Sequence, residues 1–383
     1  MGKKITEEML RRMEQEAVYE MLHYHEKNIR QKMKDTVKRA AGRYVPPKDM
    51  IFWPSAMLAN SFTEWGTERE RKKAVPALQK YFDRWIEAGM PLYFVDDVLA
   101  GVSLIDLYLD TKEEKYKTGA DRMAEYLYGL EEMEADEKGS IPYRPSHKNK
   151  HIYADGAGMT GSFLIKYGAA FRSVHGIQSG WRQMQNMFLF GMDEKTGLPY
   201  HGFRYENKIK YGIIGWGRAA GWLLMGLSRG LCCIKESVKE GSGQEEGTEE
   251  WKAACRIAYG EMEAAYRKLI NAAGSYQKEN GAFPWQLGAP EGPEDSSATA
   301  MIAYAAAMEA QWNDRQEKRG NGMRLAEKAA EYLAGQEKDG KIYNCLAECM
   351  GFSEYPQYYG AYPWSLGPAL GVLRWMYENS SSS

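Results

Sequence analysis

The chain has 383 residues and a formal net charge of −2, which gives no reason to expect nucleic acid or an anionic membrane as a partner. No apolar run reaches the ~18 residues of a membrane span, and the start, Met1-Gly-Lys-Lys-Ile-Thr, is charged without the apolar stretch of a secretory signal. The chain exceeds the roughly 250–300 residues at which one compact core usually splits, yet no linker divides it.

A helical segment is predicted over 6–43, with apolar residues recurring at Met9, Met13, Val18, Met21 and Leu22. Pro46-Pro47 ends it. An inner, small-residue helix then runs through Ala56, Met57, Leu58 and Phe62, and an amphipathic partner spans 68–87 with Val75, Leu78, Phe82 and Ile86 near helical spacing. The second inner helix begins near Asp97 and its partner covers 113–130. A loop with Pro142, Pro145, His147 and His151 leads to the third inner helix near Asp155, whose partner is 180–192. The fourth inner helix is 218–234, and residues 237–249, rich in Gly, Glu, Gln and Ser, read as a flexible surface loop rather than a linker. A partner over 250–272 follows, then an Ala-rich inner helix over 297–309, a partner over 324–336, and a last inner helix over 365–377.

The first helix has no partner before it and the last has none after it. The economical inference is that residues 1–45 close a ring against the C-terminal helix. Six inner and six outer helices then form a single-domain all-α, six-hairpin α/α barrel, with an annular core that grows with each hairpin. The repeat period varies from roughly 40 to 80 residues, too loose for an open solenoid. The extra length sits in the loops entering the inner helices, where binding and catalysis usually reside.

Each inner helix begins at a polar, aromatic or acidic join: Trp53-Pro-Ser, Asp96-Asp97-Val, Asp155-Gly-Ala, Trp216-Gly-Arg218, Glu294-Asp295-Ser and Trp364-Ser. Asp155 is the first candidate for chemistry. Asp is also a favoured N-cap, but Gly156, Gly158 and Gly161 leave the surface beside it bare for a ligand. A carboxylate at a helix start is held in its charged form, so use as an acid needs burial or a second carboxylate nearby. Asp96 and Asp97 supply that neighbour; one caps and the other faces the cavity, and the sequence leaves open which. Paired carboxylates at a cavity mouth are the requirement for glycosidic chemistry. Arg218 suits a carboxylate and Trp216 a sugar face, with Trp53 and Trp222 as further aromatic candidates. His201 is presented by a tight loop; His147 and His151 lie in a Lys-rich, solvated one. Glu294-Asp295 reads as capping. There is no phosphate loop and no nucleophile elbow. The five cysteines read as reduced thiols of a cytoplasmic protein. Cys345 and Cys349 have no second Cys or His pair beside them, so neither a metal nor another cofactor is expected.

In Asp96-Asp-Val-Leu-Ala-Gly-Val-Ser-Leu-Ile-Asp-Leu-Tyr, Tyr153-Ala-Asp-Gly-Ala-Gly-Met, Thr196-Gly-Leu-Pro-Tyr-His-Gly-Phe, Trp216-Gly-Arg-Ala-Ala-Gly-Trp and Asp295-Ser-Ser-Ala-Thr-Ala-Met, the chain resembles the unsaturated rhamnogalacturonyl hydrolases, glycoside hydrolase family 105. More distantly it resembles the family 88 unsaturated glucuronyl hydrolases. The resemblance implies a six-hairpin barrel that hydrates the C4=C5 bond of a terminal unsaturated uronic acid. It implies Asp155 as acid and base, Asp96 as the second aspartate with Asp97 beside it, and His201, Trp216 and Arg218 around the substrate. The partner implied is an unsaturated uronide oligosaccharide derived from pectin, with no cofactor, for a monomer or homodimer. Two features depart from the pattern. Pro142-Tyr-Arg-Pro-Ser-His147 replaces the family's Trp-His step, and Ala157-Gly158 stands where a large aromatic is usual, which would widen the pocket. Two other classes fit the barrel: a sugar epimerase working through His201 and His147, and a toroid that binds oligosaccharide without changing it.

Overall fold

The computed structural model describes residues 3–26, 29–42, 49–145, 150–240, 247–313, 316–350 and 353–381. Its inner helices are α3 (Trp53–Thr63), α5 (Gly101–Thr111), α7 (Ala154–Ala170), α9 (Gly217–Glu240), α11 (Ser296–Trp312) and α13 (Pro363–Ser381). Each packs on the next, and α13 packs back on α3, so the ring closes. The outer layer is α1 (Glu7–His23), α4 (Glu68–Glu87), α6 (Glu114–Glu134), α8 (Val174–Phe190), α10 (Glu249–Gly274) and α12 (Gln316–Gln336). The fold is the expected α/α barrel.

Local chemistry sets the helix boundaries. Thr6, Ser173, Thr248 and Asp295 cap helices with side-chain acceptors, and Thr67 with Glu70 forms a capping box at α4. Each such cap stabilises its helix by about 1 kcal/mol. Asp295 therefore caps, as its position before Ser-Ser predicted. The inner helices are buried on nearly every side: every residue of α11 from Ser296 to Glu309 is buried, which is why that stretch is rich in Ala and carries no polar stripe. The outer helices are amphipathic because one face meets water.

Four expectations need correction. The N-terminal segment is two helices, α1 and α2 (Ile29–Ala40), rather than one; α1 alone takes the outer position beside α13 and α3. The fourth inner helix continues to Glu240, through the first residues assigned to a surface loop, and residues 241–246 of that loop lie outside the described residues. The second inner helix starts with a 3-10 turn, Val95–Ala100, before α5. A small antiparallel sheet was also missed: β1 (His151–Tyr153), β2 (Tyr200–Arg204) and β3 (Lys210–Ile214), in the order β1-β2-β3. Two further ladders, β4 (Glu337–Lys338) with β5 (Lys341–Ile342) and β6 (Cys345–Leu346) with β7 (Tyr359–Gly360), brace the last connection.

The ring has two mouths. At the C-terminal ends of the inner helices lies a polar cavity of about 580 Å³ lined by Thr63, Asp106, Lys166, Arg229 and Trp375, among others. Its buried charges are matched: Arg229 Nε donates to Glu64 (2.7 Å), Tyr304 also donates to Glu64, and Lys166 pairs with Asp106 (2.6 Å). The sheet and the long loops cover the opposite mouth, where the inner helices begin.

Candidate active site

The N-terminal mouth holds a narrow cleft of about 80 Å³, lined by Trp53, Tyr143, Arg144, Tyr153, Asp155, Met159, His201, Trp216, Arg218, Trp222, Glu348 and Cys349. Residues far apart in the chain meet here because their helices all start at this end.

Asp155 is the second residue of α7, within its first turn, and Tyr153 occupies the N-cap. It is therefore no cap. Its Oδ1 is buried and, among the described residues, receives no hydrogen bond. His201 Nε2 stands 3.7 Å from that oxygen, too far for a hydrogen bond. The other ring nitrogen of His201 is 2.9 Å from the Tyr355 hydroxyl. The imidazole is clamped by Tyr153 and Trp216, each with ring centroids at 4.5 Å. His201 sits on β2 rather than in a tight loop. The sheet exists at this point because Gly202 lets β1 approach: a Cβ there would lie 2.1 Å from Ile152 O.

The structure separates the two adjacent aspartates. Asp97, fully buried, accepts the backbone N–H groups of Tyr93 (2.7 Å) and Phe94 (3.0 Å) through Oδ2 and fixes the turn. Its role is structural, and neither it nor Asp96 lines the cleft directly. Asp96 is also buried but receives the hydroxyl of Tyr143 at 2.7 Å, and Tyr143 lines the cleft. Burial pushes the Asp96 carboxyl up to about 7; the Tyr143 hydrogen bond opposes this, while the charges of Asp49 and Asp155 add to it.

Trp53 and Trp222 line the floor, edge to face with ring centroids 5.8 Å apart. Trp216 lines the wall with a buried indole N–H that finds no partner among the described residues. Arg218 also lines the cleft, but much of its fork is engaged. It donates to the backbone oxygens of Leu346 (2.7 Å) and Ala347 (2.8 Å) and lies 4.9 Å over the Trp216 ring. It ties the β6 connection to α9 as well as facing the cleft. His151 is buried on β1, parallel to the Tyr153 ring, rather than solvated. His147 lies outside the described residues.

The glycines after Asp155 serve packing, not ligand access. A Cβ at Gly156 would meet the Tyr143 ring at 2.8 Å, at Gly158 the Trp222 backbone oxygen at 2.5 Å, and at Gly161 Met184 at 2.8 Å. Ala157 is buried and absent from the cleft wall, so the Ala157-Gly158 step does not widen it. Tyr143, Tyr153, Tyr355, Arg144 and Glu348 escaped the sequence reading. The only signal for Tyr143 was its place in the segment that stands for the family's Trp-His step.

The sequence matches Glycosyl Hydrolase Family 88 over residues 3–376. The unsaturated rhamnogalacturonyl hydrolase YesR of Bacillus subtilis is 23% identical over 259 residues, which span 66% of this chain and 69% of that protein. A possible member of family GH105 from Salmonella enterica superposes with a TM-score of 0.73 at 18% identity, over 97% of this chain and 94% of that one. The unsaturated glucuronyl hydrolase of Bacillus sp. GL1, responsible for glycosaminoglycan degradation, gives 0.60 at 16% identity, over 94% of this chain and 96% of that one. With an α/α barrel, an aromatic cleft at its N-terminal mouth and a match along nearly the whole sequence, the chain belongs to glycosyl hydrolase family 88.

Proposed function

We propose that this glycoside hydrolase removes a 4,5-unsaturated uronic acid, an unsaturated galacturonyl unit of pectin in the first instance, from the non-reducing end of lyase-generated oligosaccharides. The relatives named above are hydrolases of unsaturated rhamnogalacturonyl and glucuronyl compounds. The observation that carries the reading is the unsatisfied carboxylate oxygen of Asp155, in an aromatic cleft, with His201 facing it and a second, buried carboxyl close by.

In this reading the Asp155 carboxyl gives its proton to C4 of the vinyl ether. Positive charge develops at C5 and is shared with the ring oxygen. Water adds to C5 and returns a proton to the Asp155 carboxylate. The hemiketal then opens its C5–O5 bond to a ketone, and the hemiacetal left at C1 expels the neighbouring sugar. Trp53 and Trp222 offer ring faces for the sugar. Arg218, despite its backbone partners, sets positive charge near the uronate carboxylate.

The test is Asp155→Asn, followed by the ultraviolet absorbance of the unsaturated uronate. Turnover should fall by at least about 10³-fold, while the circular dichroism spectrum and melting temperature stay those of the wild type. Retained turnover rejects the role of Asp155. Lyase digests of rhamnogalacturonan, homogalacturonan, ulvan and glycosaminoglycans identify the uronide, with the first expected to react fastest. Unchanged sugar masses in every digest would leave only a binding protein.

A further inference from the structure

A second carboxyl lies behind the turn that carries Asp96. Asp97 uses Oδ2 on the backbone N–H groups of Tyr93 and Phe94. Asp49, on the segment entering α3, uses Oδ1 on the N–H of Ile51 at 3.1 Å. The two remaining oxygens, Asp97 Oδ1 and Asp49 Oδ2, are buried, and among the described residues no donor reaches either one. The two carboxyl groups are side-chain hydrogen-bonding neighbours. Two ionised carboxylates cannot be held this way in a buried site: they repel, and each lacks the water that would solvate it. One proton between them turns the repulsion into an O–H···O bond and satisfies both oxygens at once.

We propose that Asp49 is a positioning residue: with Asp97 it forms a carboxyl–carboxylate pair joined by one shared proton, which fixes the 3-10 turn and sets one negative charge, not two, behind Asp96. The pair's influence on catalysis rests on the function proposed above; its existence does not. Burial and the Asp49 charge hold the Asp97 carboxyl far above the usual carboxylate range, and burial raises Asp49 too. The groups acting on Asp96 are Tyr143, Asp155, Asp49 and Asp97, with the Tyr126 phenol near both turn aspartates. The Tyr81 hydroxyl near the pair is already bonded to Ser55 Oγ at 2.8 Å.

The experiment is an infrared difference spectrum of the whole protein at about pH 8, where ordinary carboxyls are ionised. Wild type minus Asp49→Asn should show the carbonyl band of a protonated carboxylic acid, and wild type minus Asp97→Asn the same band. The asparagine amide can donate where the shared proton did, so Asp49→Asn keeps one charge behind Asp96. Its pH profile of turnover should stay within about half a unit of wild type. Asp49→Ala supplies no donor, and its turnover should drop roughly tenfold or more, with Asn restoring it. No band in the difference spectrum, or a profile moved down by a full unit in Asp49→Asn, means the two groups were separately ionised and overturns the proposal. Because the band needs no substrate, it decides the pair even if Asp155→Asn remains active.

Discussion

Asp96 owes its high proton affinity first to burial and only then to its charged neighbours, and this has consequences for pH. The folded state holds its proton up to about 7, whereas an unfolded aspartate releases it near 4. Between those values the folded state binds more protons, so stability falls as pH rises through that window. Asp96→Asn removes the penalty while keeping an acceptor for Tyr143. It should stabilise the protein by on the order of 2–4 kcal/mol at about pH 8 and by little at about pH 4, read from urea midpoints at both. Tyr143→Phe acts in the other direction. The phenol favours the charged form of Asp96, so its loss raises the carboxyl further. If turnover requires Asp96 to keep its proton, it should fall as pH rises through about 7, and in Tyr143→Phe that fall should move to higher pH. A fall that stays in place would separate Tyr143 from the titrating group. Asp155, Trp216 and Trp53 were legible because each marks the start of an inner helix. Tyr143, Tyr355 and Asp49 were not, because they arrive on irregular segments whose course no periodicity fixes.

At the scale of elements, spacing between helices decides what glycine means. On sequence alone, Gly156, Gly158 and Gly161 read as bare surface for a ligand beside Asp155. The structure assigns all of them to contact. Gly158 is the tightest against main chain: its missing Cβ leaves room for the Trp222 backbone oxygen, so α7 and α9 touch along their backbones. A backbone cannot turn aside as a side chain can. Gly158→Ala should therefore separate the helices and destabilise the fold by about 1–3 kcal/mol. It should also lower turnover, since α7 and α9 carry Asp155 and Trp222 into the cleft. Gly260→Ala, on α10 with open space around the position, is the control and should be neutral or slightly stabilising. Melting temperatures of the two variants test this. The inner and outer helices were readable from small-residue and amphipathic patterns. The sheet was not, because β1 has three residues, all buried, without the alternation that announces a half-buried strand.

For the whole molecule, a ring is only as closed as its seam, and here the seam joins residues from the two ends of the chain. Arg374 in α13, nearly buried, donates to Glu14 of α1 at 2.5 Å and to Trp65 O at 3.4 Å. Lys3 and Arg12 reach Glu337 at 2.5 and 3.5 Å, and Lys341 reaches Glu16 at 2.9 Å. The pairing of the ends was inferred from what each helix lacked, one having no partner before it and the other none after it. Its chemistry was not legible, because ion pairs more than 300 residues apart leave no mark on local spacing. The long separation makes closure entropically demanding but adds little extra cost with each further residue, so a few well-placed contacts are enough to hold it. Arg374→Ala leaves Glu14 without its partner and Trp65 O without a donor. Because Glu14 is partly exposed, the loss should be about 1–3 kcal/mol rather than that of a fully buried pair. By contrast, Lys72→Ala removes an exposed pair with Glu68 within one helix and should leave the denaturant midpoint where it was. If the seam governs opening, amide exchange in α1 and α13 should speed up in Arg374→Ala while exchange in α7 and α9, on the far side of the ring, stays slow. Equal acceleration everywhere would mean that the barrel opens as one unit and that its ends are no weaker than its other joints.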